Sequence, residues 1–292
     1  MFSSSWLQFI PNITINNSST TSIPTTIKVI QFNVDHGGES RKSAILSWLQ
    51  QQNANIVGFC EANKWQNNLT NLSKAAGYKY AEIFPTRHGF PLAVFSKTPI
   101  EVLGKYDTYF ERGVLHVRIL GVQFFIAHLN AHNSTARSIE TKHLATLLPP
   151  PPAKVVVMGD MNTLSPLDDQ SLQNMTVEEL PLLEALSSRY CYKAMRQKFL
   201  ENNLFAYQPM HNLLEAGLID ASTMRQPTEP TDIPCDQVRF CKCPSLRLDY
   251  MLVSKHLAIL KPDLLNAKVI RTKKTNQLSD HFPLELQFPL QL

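Results

Sequence analysis

Long hydrophobic runs are missing from this sequence of 292 residues. No stretch approaches the roughly 18 uninterrupted apolar residues that a transmembrane helix requires, so we expect a soluble chain without a membrane-spanning segment. A strong charge of one sign is also missing, because the formal net charge is only +4. This mild positive charge is compatible with an anionic substrate. It is too small to indicate nucleic-acid binding by itself, which depends on clustered rather than summed charge.

Cysteine is scarce, and its count of five is odd, which argues against a complete disulfide framework. The remaining composition, 43% hydrophobic and 18% charged residues, is typical of an ordinary globular protein with a large core. One cysteine, Cys60, lies inside an apolar run and is predicted to be buried in a strand. The other four are discussed below with the segment that contains them.

The first 26 residues have neither a basic region nor a long apolar stretch, and they are rich in Ser, Thr and Asn. We expect a flexible tail or a loosely docked arm over residues 1–26 rather than a signal peptide. Three of seven N-x-S/T sequons lie in this tail, and about two or three would arise by chance in such a composition. The sequons therefore leave both an intracellular location and secretion open. They are Asn12, Asn16, Asn17, Asn68, Asn71, Asn133 and Asn174.

From about Ile27 the chain alternates strand-like and helix-like segments, as α/β and mixed α+β folds do. Helical spacing over 40–52 and 134–148 predicts helices, the first with Ser40 as N-cap, and Thr176 with Glu179 has the spacing of a capping box. We see no internal repeat and no linker. We therefore expect one domain over 27–292, with a helix-rich and cysteine-containing insertion at about 165–245. The predicted strands include 27–34, 55–62, 155–162, 247–254 and 281–290.

Polar residues recur at the ends of the hydrophobic runs. Each has an ordinary explanation by itself: Asn33 could belong to a turn, Glu61 could be the first solvated residue after a strand, and His128 could be a core histidine. Asp249 could pair with Arg247. Together they form one ordered set along the chain. The set is Asn33, Glu61, His128, Asp160, Asn162, Asp249, Asp280 and His281.

These residue types suit phosphoester cleavage. That reaction requires charge neutralisation on the phosphoryl oxygens, an oriented nucleophile and assistance to the leaving oxygen. Carboxylates with an asparagine offer the hard oxygen ligands that Mg²⁺ prefers, and histidines supply donors or acid–base groups near neutral pH. In the stretch VVVMGDMN, Asp160 and Asn162 project to the same side of a strand. Gly159 between strand and aspartate is expected to leave backbone room for a phosphate.

The pieces FNV, CEA, AHLNAH, GDMNTLSP, RLDYMLVS and SDHFPLEL resemble the endonuclease/exonuclease/phosphatase superfamily, over about Ile27 to Leu290. This superfamily includes pancreatic deoxyribonuclease, exonuclease III, apurinic endonucleases, neutral sphingomyelinases and inositol-polyphosphate 5-phosphatases. The resemblance implies a four-layer αββα sandwich, in which two packed mixed sheets are flanked by helices. It also implies a metal-dependent hydrolase that acts as a phosphodiesterase or phosphatase.

The resemblance further implies a metal site. Glu61 would be the principal ligand, with Asn33 and Asp280 completing or supporting the site. The expected ion is Mg²⁺, with Mn²⁺ as a substitute, acting mainly as a Lewis acid and template.

The catalytic roles carried over from the superfamily fall on five residues. Asp160 would orient or deprotonate the attacking water, and Asn162 would hold that water or the phosphate. His128 would contact the phosphate and protonate the leaving group. His281 would stabilise the developing negative charge, with Asp249 fixing its tautomer and orientation.

The segment before Asp249 is locally basic and is expected to overhang the site, so Arg239 and Arg247 are predicted to contact substrate phosphate, together with Asn33 and Asn162. A solvated loop is the alternative. Its cysteines could bind zinc, form a disulfide or remain reduced, because their spacing does not match a reliable zinc site. The cysteines concerned are Cys191, Cys235, Cys241 and Cys243.

Three functions remain open for a chain that we expect to be monomeric. The first is a Mg²⁺-dependent nuclease or nucleic-acid phosphodiesterase, the second a sphingomyelinase-like phospholipid hydrolase or small-molecule phosphodiesterase, and the third a non-catalytic binding module. Intact site positions argue against the third. AHLNAH differs from the matching segment of apurinic endonucleases, and Tyr250 replaces the arginine of inositol 5-phosphatases. The sequence therefore favours the first function without identifying the substrate.

Overall fold

A computed structural model describes residues 26–177, 179–188, 191, 193–224, 229–232, 245–259 and 265–290. The predicted tail therefore lies outside the described residues, apart from Thr26. In chain order, the first eight strands are β1 (Thr26–Asn33), β2 (Ile56–Cys60), β3 (Tyr80–Phe84), β4 (Leu92–Ser96), β5 (Glu101–Tyr106), β6 (Val114–Ile119), β7 (Val122–His128) and β8 (Val155–Asp160). The next are β9 (Thr176–Val177), β10 (Leu180–Pro181), β11 (Leu200–Glu201), β12 (Leu204–Phe205), β13 (Leu218–Asp220), β14 (Asp249–Ser254), β15 (Asn266–Val269) and β16 (Leu284–Pro289).

The strands form two six-stranded sheets and two short hairpins. The first sheet has the order β15-β16-β1-β2-β4-β3, and the second has the order β13-β14-β8-β7-β6-β5. Each sheet is mixed, because β1 runs parallel to β2 and β7 runs parallel to β8, whereas the other neighbours are antiparallel. The hairpins are β9–β10 and β11–β12.

The described residues form eight α-helices. They are α1 (Lys42–Gln52), α2 (Leu69–Ala75), α3 (Ser134–Leu147), α4 (Asp169–Gln173), α5 (Leu182–Ser187), α6 (Lys193–Phe199), α7 (Gln208–Glu215) and α8 (Lys255–Ile259). Short 3₁₀ segments lie at His36–Arg41, Gln66–Asn68, Pro166–Asp168, Ala221–Met224 and Thr275–Gln277.

Alternating side chains divide the core into layers. One apolar cluster joins the facing sides of the two sheets, for example through Val29 and Ile56 of the first sheet and Ile126 and Val156 of the second. The outer face of the first sheet packs on α1 and α2, and the outer face of the second packs on α3 and α7. This arrangement confirms the predicted αββα sandwich.

Two local predictions about helix starts are wrong. Helix α1 begins at Lys42, because Ser40 lies in a 3₁₀ segment with a kinked backbone, and no side chain caps α1. Thr176 opens the short hairpin β9–β10 instead of a helix, so its spacing to Glu179 is not a capping box. The predicted helix over 134–148 is present, and its N-cap is Asn133, whose side chain accepts a hydrogen bond from the Ala136 N–H at 2.9 Å.

Residues 161–248 form what we call the β8–β14 connection. Its described part contains four α-helices, two 3₁₀ segments, the two hairpins and β13, and it buries an apolar cluster of its own around Leu182, Phe199 and Phe205. In the described parts of the chain, no helix has the length and apolar character needed to span a bilayer.

Candidate active site

Strand register places three polar residues side by side in the second sheet. His128 is paired with Asp160 across the parallel β7–β8 ladder, and Asp160 is paired with Asp249 across the antiparallel β8–β14 ladder. Paired residues on adjacent strands project from the same face, so the three side chains share one face of the sheet. All three are buried. The first sheet contributes Asn33 from the end of β1, opposite this row.

Asp160 is the centre of the cluster. Asn33 donates a hydrogen bond from Nδ2 to Asp160 Oδ2 at 3.0 Å, and the backbone N–H of Asn162 donates to Oδ1 at 2.9 Å. The Nε2 atoms of His128 and His281 lie 3.4 and 3.8 Å from Oδ2. Burial raises the pKa of the Asp160 carboxyl, and the charge of His281 opposes that rise. The structure therefore holds both oxygens of one buried carboxylate in a fixed orientation.

His281 and Asp249 form the tightest pair in the cluster. His281 Nδ1 lies 2.6 Å from Asp249 Oδ2, and Gln31 donates from Nε2 to the other oxygen at 3.2 Å. Burial alone would lower the pKa of His281, but the carboxylates of Asp249 and Asp160 outweigh burial and hold that pKa well above its usual value. The pair therefore supplies a fixed cation whose Nε2 points towards Asp160.

Thr231 fixes the backbone next to this pair. Its Oγ1 accepts hydrogen bonds from the N–H groups of Leu248 and Asp249 at 2.9 and 3.0 Å. The next residue, Asp232, forms a β-bridge with His281. Burial raises the pKa of Asp232 to about 7, against the opposing charge of His281. The β8–β14 connection thus contributes directly to the surroundings of His281.

His128 contacts a buried arginine. Arg112 Nη1 lies 2.8 Å from His128 Nε2, and the guanidinium can only donate, so Nε2 accepts and the ring proton is on Nδ1. Burial, followed by the charge of Arg112, holds the pKa of His128 well below its usual value. A neutral imidazole in this tautomer has no proton on Nε2. The arrangement supports a role for His128 in orienting Arg112.

A second group of ligand atoms surrounds Glu61, directly after β2. Ligand atoms of Asp35, His36 and Glu61 all lie within 4.8 Å of one another. The His36 N–H donates to Glu61 Oε2 at 3.2 Å, and Arg112 Nη1 lies 3.3 Å from Glu61 Oε1. Positive φ angles at all three members bring them together, in a conformation that is unusual for residues with side chains.

The donor set around Glu61 suits a divalent metal. Two carboxylates are hard oxygen ligands, as Mg²⁺ and Mn²⁺ prefer, and an imidazole is compatible with Mn²⁺. Asn33 lies between the two groups, because its Oδ1 accepts from the Asp35 N–H at 3.1 Å while its Nδ2 donates to Asp160. Asn33 thus supports both groups.

A further set of ligand atoms could hold an ion. The atoms belong to Asp160, Asp249 and His281, and they all lie within 4.8 Å of one another. Asp280 is exposed, accepts from Ser279 Oγ at 3.2 Å, and belongs to neither set.

Two other predicted residues are placed differently. Arg247 is buried, and its guanidinium binds Asp168 and Asp220 at 2.9 and 2.5 Å. It is therefore a structural cation inside the β8–β14 connection, not an exposed phosphate contact. Gly159 does not leave room for a phosphate, because a Cβ there would lie 1.8 Å from the Ala127 carbonyl oxygen. The room at Gly159 is filled by β7.

Several predictions fall partly or wholly outside the described residues. Arg239 and the cysteines Cys235, Cys241 and Cys243 lie outside them. Cys191 is described and is buried in the apolar cluster of the β8–β14 connection. Cys60 is fully buried between the sheets, as expected for a strand residue.

Sequence reasoning missed two kinds of residue that contact the candidate site. Asp35 and His36 follow Asn33 directly in FNVDHGG, so their proximity to the motif was a usable signal. No such sequence signal pointed to Arg112, Gln31 and Thr231, because they belong to no polar motif and reach the site only through tertiary packing.

The sequence matches the Endonuclease/Exonuclease/phosphatase family over residues 30–281. The chain belongs to this family. Its members hydrolyse phosphoester bonds, and this protein is accordingly a phosphoester hydrolase. A comparison with curated proteins gives no match.

Solved structures of similar fold cover nearly the whole chain. An AP endonuclease from Archaeoglobus fulgidus is 16% identical, with a TM-score of 0.65 over 90% of this chain and 99% of the other. The 3′-5′ exonuclease NExo from Neisseria meningitidis is also 16% identical, with a TM-score of 0.64 over 90% and 100%. A structure of the 3′ phosphatase NExo from Neisseria bound to a product DNA hairpin is 18% identical, with a TM-score of 0.60 over 90% and 99%. At these identities the likeness shows the fold.

Proposed function

We propose that this family member is a Mg²⁺-dependent nuclease or nucleic-acid phosphodiesterase. The observation that carries the proposal is the juxtaposition of a buried Asp160–His281–Asp249 arrangement with a hard-oxygen ligand group at Glu61. Asn33 connects the two. Proteins of the same fold that act on DNA, the AP endonuclease and NExo, support nucleic acid as the substrate class.

Asp160 would orient the attacking water. Its carboxylate is held on both oxygens, and a fixed acceptor reduces the reorganisation needed when the nucleophile attacks. Asn162 would help to position the water or the phosphate. Its Nδ2 already donates to the Leu129 carbonyl at 3.2 Å, which locks the amide in place next to Asp160.

His281 and Arg112 would neutralise charge on the phosphoryl oxygens. Asp249 holds the imidazole of His281 through Nδ1 and leaves Nε2 for the substrate. Arg112 lies between Glu61 and His128, and its guanidinium also stacks over the Phe90 ring at 3.7 Å. Fixed cations in a partly buried site, from which most water is excluded, stabilise a transition state more strongly than mobile ions in water.

Glu61 and Asp35, supported by His36 and Asn33, would hold the divalent ion. When bound, the ion supplies Lewis-acid stabilisation of phosphoryl charge. The remaining steps, orienting the water and holding the phosphate, fall to the side chains already described.

The test is an assay of the purified chain with Mg²⁺ or with EDTA on single- and double-stranded DNA, RNA, sphingomyelin and a chromogenic phosphodiester. We expect cleavage of nucleic acid that EDTA abolishes and Mg²⁺ restores. Glu61→Ala should lower turnover by roughly 10²-fold or more without loss of folding, because it removes a central ligand. Glu101→Ala, on the exposed side of edge strand β5, is the matched control.

The substrate panel separates the alternatives. Cleavage of sphingomyelin alone would reject nucleic acid and favour the phospholipid hydrolase, and cleavage of the chromogenic compound alone would favour a small-molecule substrate. A folded chain that cleaves nothing with Mg²⁺ or Mn²⁺ would favour a non-catalytic module.

A further inference from the structure

Lys198 lies near the carboxyl end of α6, in the β8–β14 connection, and its side chain is partly buried. Its ammonium lies 5.2 Å from the centre of the Phe199 ring. Within the described residues it forms no hydrogen bond and no ion pair. Because the residue is only partly buried, this unpaired ammonium keeps access to solvent and to an incoming anion.

The backbone of Lys198 is fixed against the second sheet. Arg137 of α3 donates one guanidinium N–H to the Lys198 carbonyl and another to the Asn130 carbonyl at 2.9 Å. Asn130 follows His128 by two residues at the end of β7. Phe199, the neighbour of Lys198, is buried in the apolar cluster of the connection. The lysine is therefore tied to the strand end that carries His128.

The positive charge of Lys198 acts on the cluster around Asp160. It opposes the rise in pKa that burial causes at Asp160 and at Asp232, and it adds to the lowering of the pKa of His128 that burial and Arg112 cause. Burial also lowers the pKa of Lys198 itself. The ammonium therefore belongs to the electrostatic surroundings of these three residues, and within the described residues it forms an ion pair with none of them.

We propose that Lys198 binds a non-bridging oxygen of the substrate phosphate, so that the β8–β14 connection supplies a cation to the active site. This inference rests on the proposed phosphoester hydrolysis. A bound phosphate would provide the anion that the ammonium lacks, next to Arg112 and His281. A lysine suits this role because its ammonium is a compact point charge with three donors.

The experiment compares Lys198→Met with Lys193→Met, which removes an exposed charge from the same helix. On the substrate that the wild type cleaves, Lys198→Met should lower kcat/KM by roughly 10²-fold, as expected for the loss of one donor to developing charge. Lys198→Arg should recover part of the loss, and Lys193→Met should match the wild type.

A second measurement needs no turnover. Binding of inorganic phosphate, followed by calorimetry, should weaken by roughly tenfold or more in Lys198→Met, because a charge-assisted hydrogen bond is lost. The melting temperature should not fall, since the lysine has no ion-pair partner to lose. A purely structural lysine would lower the melting temperature and leave phosphate affinity unchanged.

The two readouts separate failure of this inference from failure of the proposed function. An active wild type with unchanged kcat/KM and phosphate affinity in Lys198→Met would overturn the role of Lys198 and leave the hydrolase intact. An inactive wild type whose phosphate binding depends on Lys198 would support the anion contact and overturn the proposed function. An inactive wild type with phosphate binding independent of Lys198 would overturn both.

Discussion

Replacing Gly159 by alanine should force β7 and β8 apart at the active site. The added Cβ would lie 1.8 Å from the Ala127 carbonyl oxygen, and real Cβ atoms essentially never approach closer than 3.0 Å. The paired strands would have to separate by roughly 1 Å or more to relieve this contact. His128 and Asp160 follow Ala127 and Gly159 directly and are paired with each other, so the displacement would reach both.

The cost follows from two terms. Gly159 has a φ of +150°, a region that is essentially restricted to glycine and costs other residues about 1–3 kcal/mol. Overpacking a well-filled interior costs about 1–3 kcal/mol more. We expect a loss of about 2–6 kcal/mol, which corresponds to at least about 4 °C in melting temperature for a chain of this size. A misplacement of about 1 Å should also lower kcat by roughly 10²-fold.

Gly121→Ala provides the matched control. Gly121 also has a positive φ, +76°, but a Cβ there would meet no atom within 4 Å. It should cost about 1 kcal/mol and leave kcat unchanged. Thermal unfolding and turnover on the same substrate measure both effects. If Gly159→Ala melted no lower than the control and kept its kcat, the contact with Ala127 would not be what positions His128 and Asp160.

Two further changes test the buried ionisable groups. Asp249→Asn should lower kcat by roughly 10²- to 10⁴-fold, because a neutral amide cannot stabilise a charged His281. The circular dichroism spectrum should change little. A near-wild-type kcat would contradict this expectation. Burial raises the pKa of Glu140 from 4.5 to about 7, so the folded wild type should lose stability as the pH rises through that interval. Glu140→Gln cannot ionise, and its free energy of unfolding by urea should therefore gain about 3 kcal/mol relative to the wild type between about pH 4.5 and pH 8. The exposed Glu215→Gln should show no such gain, and a parallel pH dependence of Glu140→Gln and wild type would refute the assignment.

Much of the candidate site could be predicted because its residues sit at strand ends. Apolar runs specify the strands, and the polar residue that follows each run then faces a shared edge of the sandwich. Asp160 and Asp249 illustrate this, since their runs become neighbouring strands and their side chains become partners across the ladder. The alternation of these runs indicated an α/β or mixed fold, and the family resemblance implied the four-layer sandwich.

The rest depends on contacts that no local pattern contains. Arg112 reaches the cluster through packing of a loop, and a single sequence does not show where such a loop will dock. Arg247 was misinterpreted for a related reason: a basic residue beside the motif suggested phosphate contact, but two distant carboxylates, Asp168 and Asp220, bind it. For both arginines, the position of the side chain is decided by partners that are distant in the sequence.

The β8–β14 connection leaves the sheet directly after Asp160 and returns at Asp249, and these two residues are paired neighbours. Its two ends are therefore fixed beside each other by the ladder, whatever its length. Because loop-closure entropy grows only slowly with length, such a segment can be lengthened, shortened or exchanged at modest thermodynamic cost. Insertions in turns of the connection that do not contact the site would consequently leave Asp160 and Asp249 side by side, whereas exchanging the whole segment would also replace Asn162, Lys198 and Thr231.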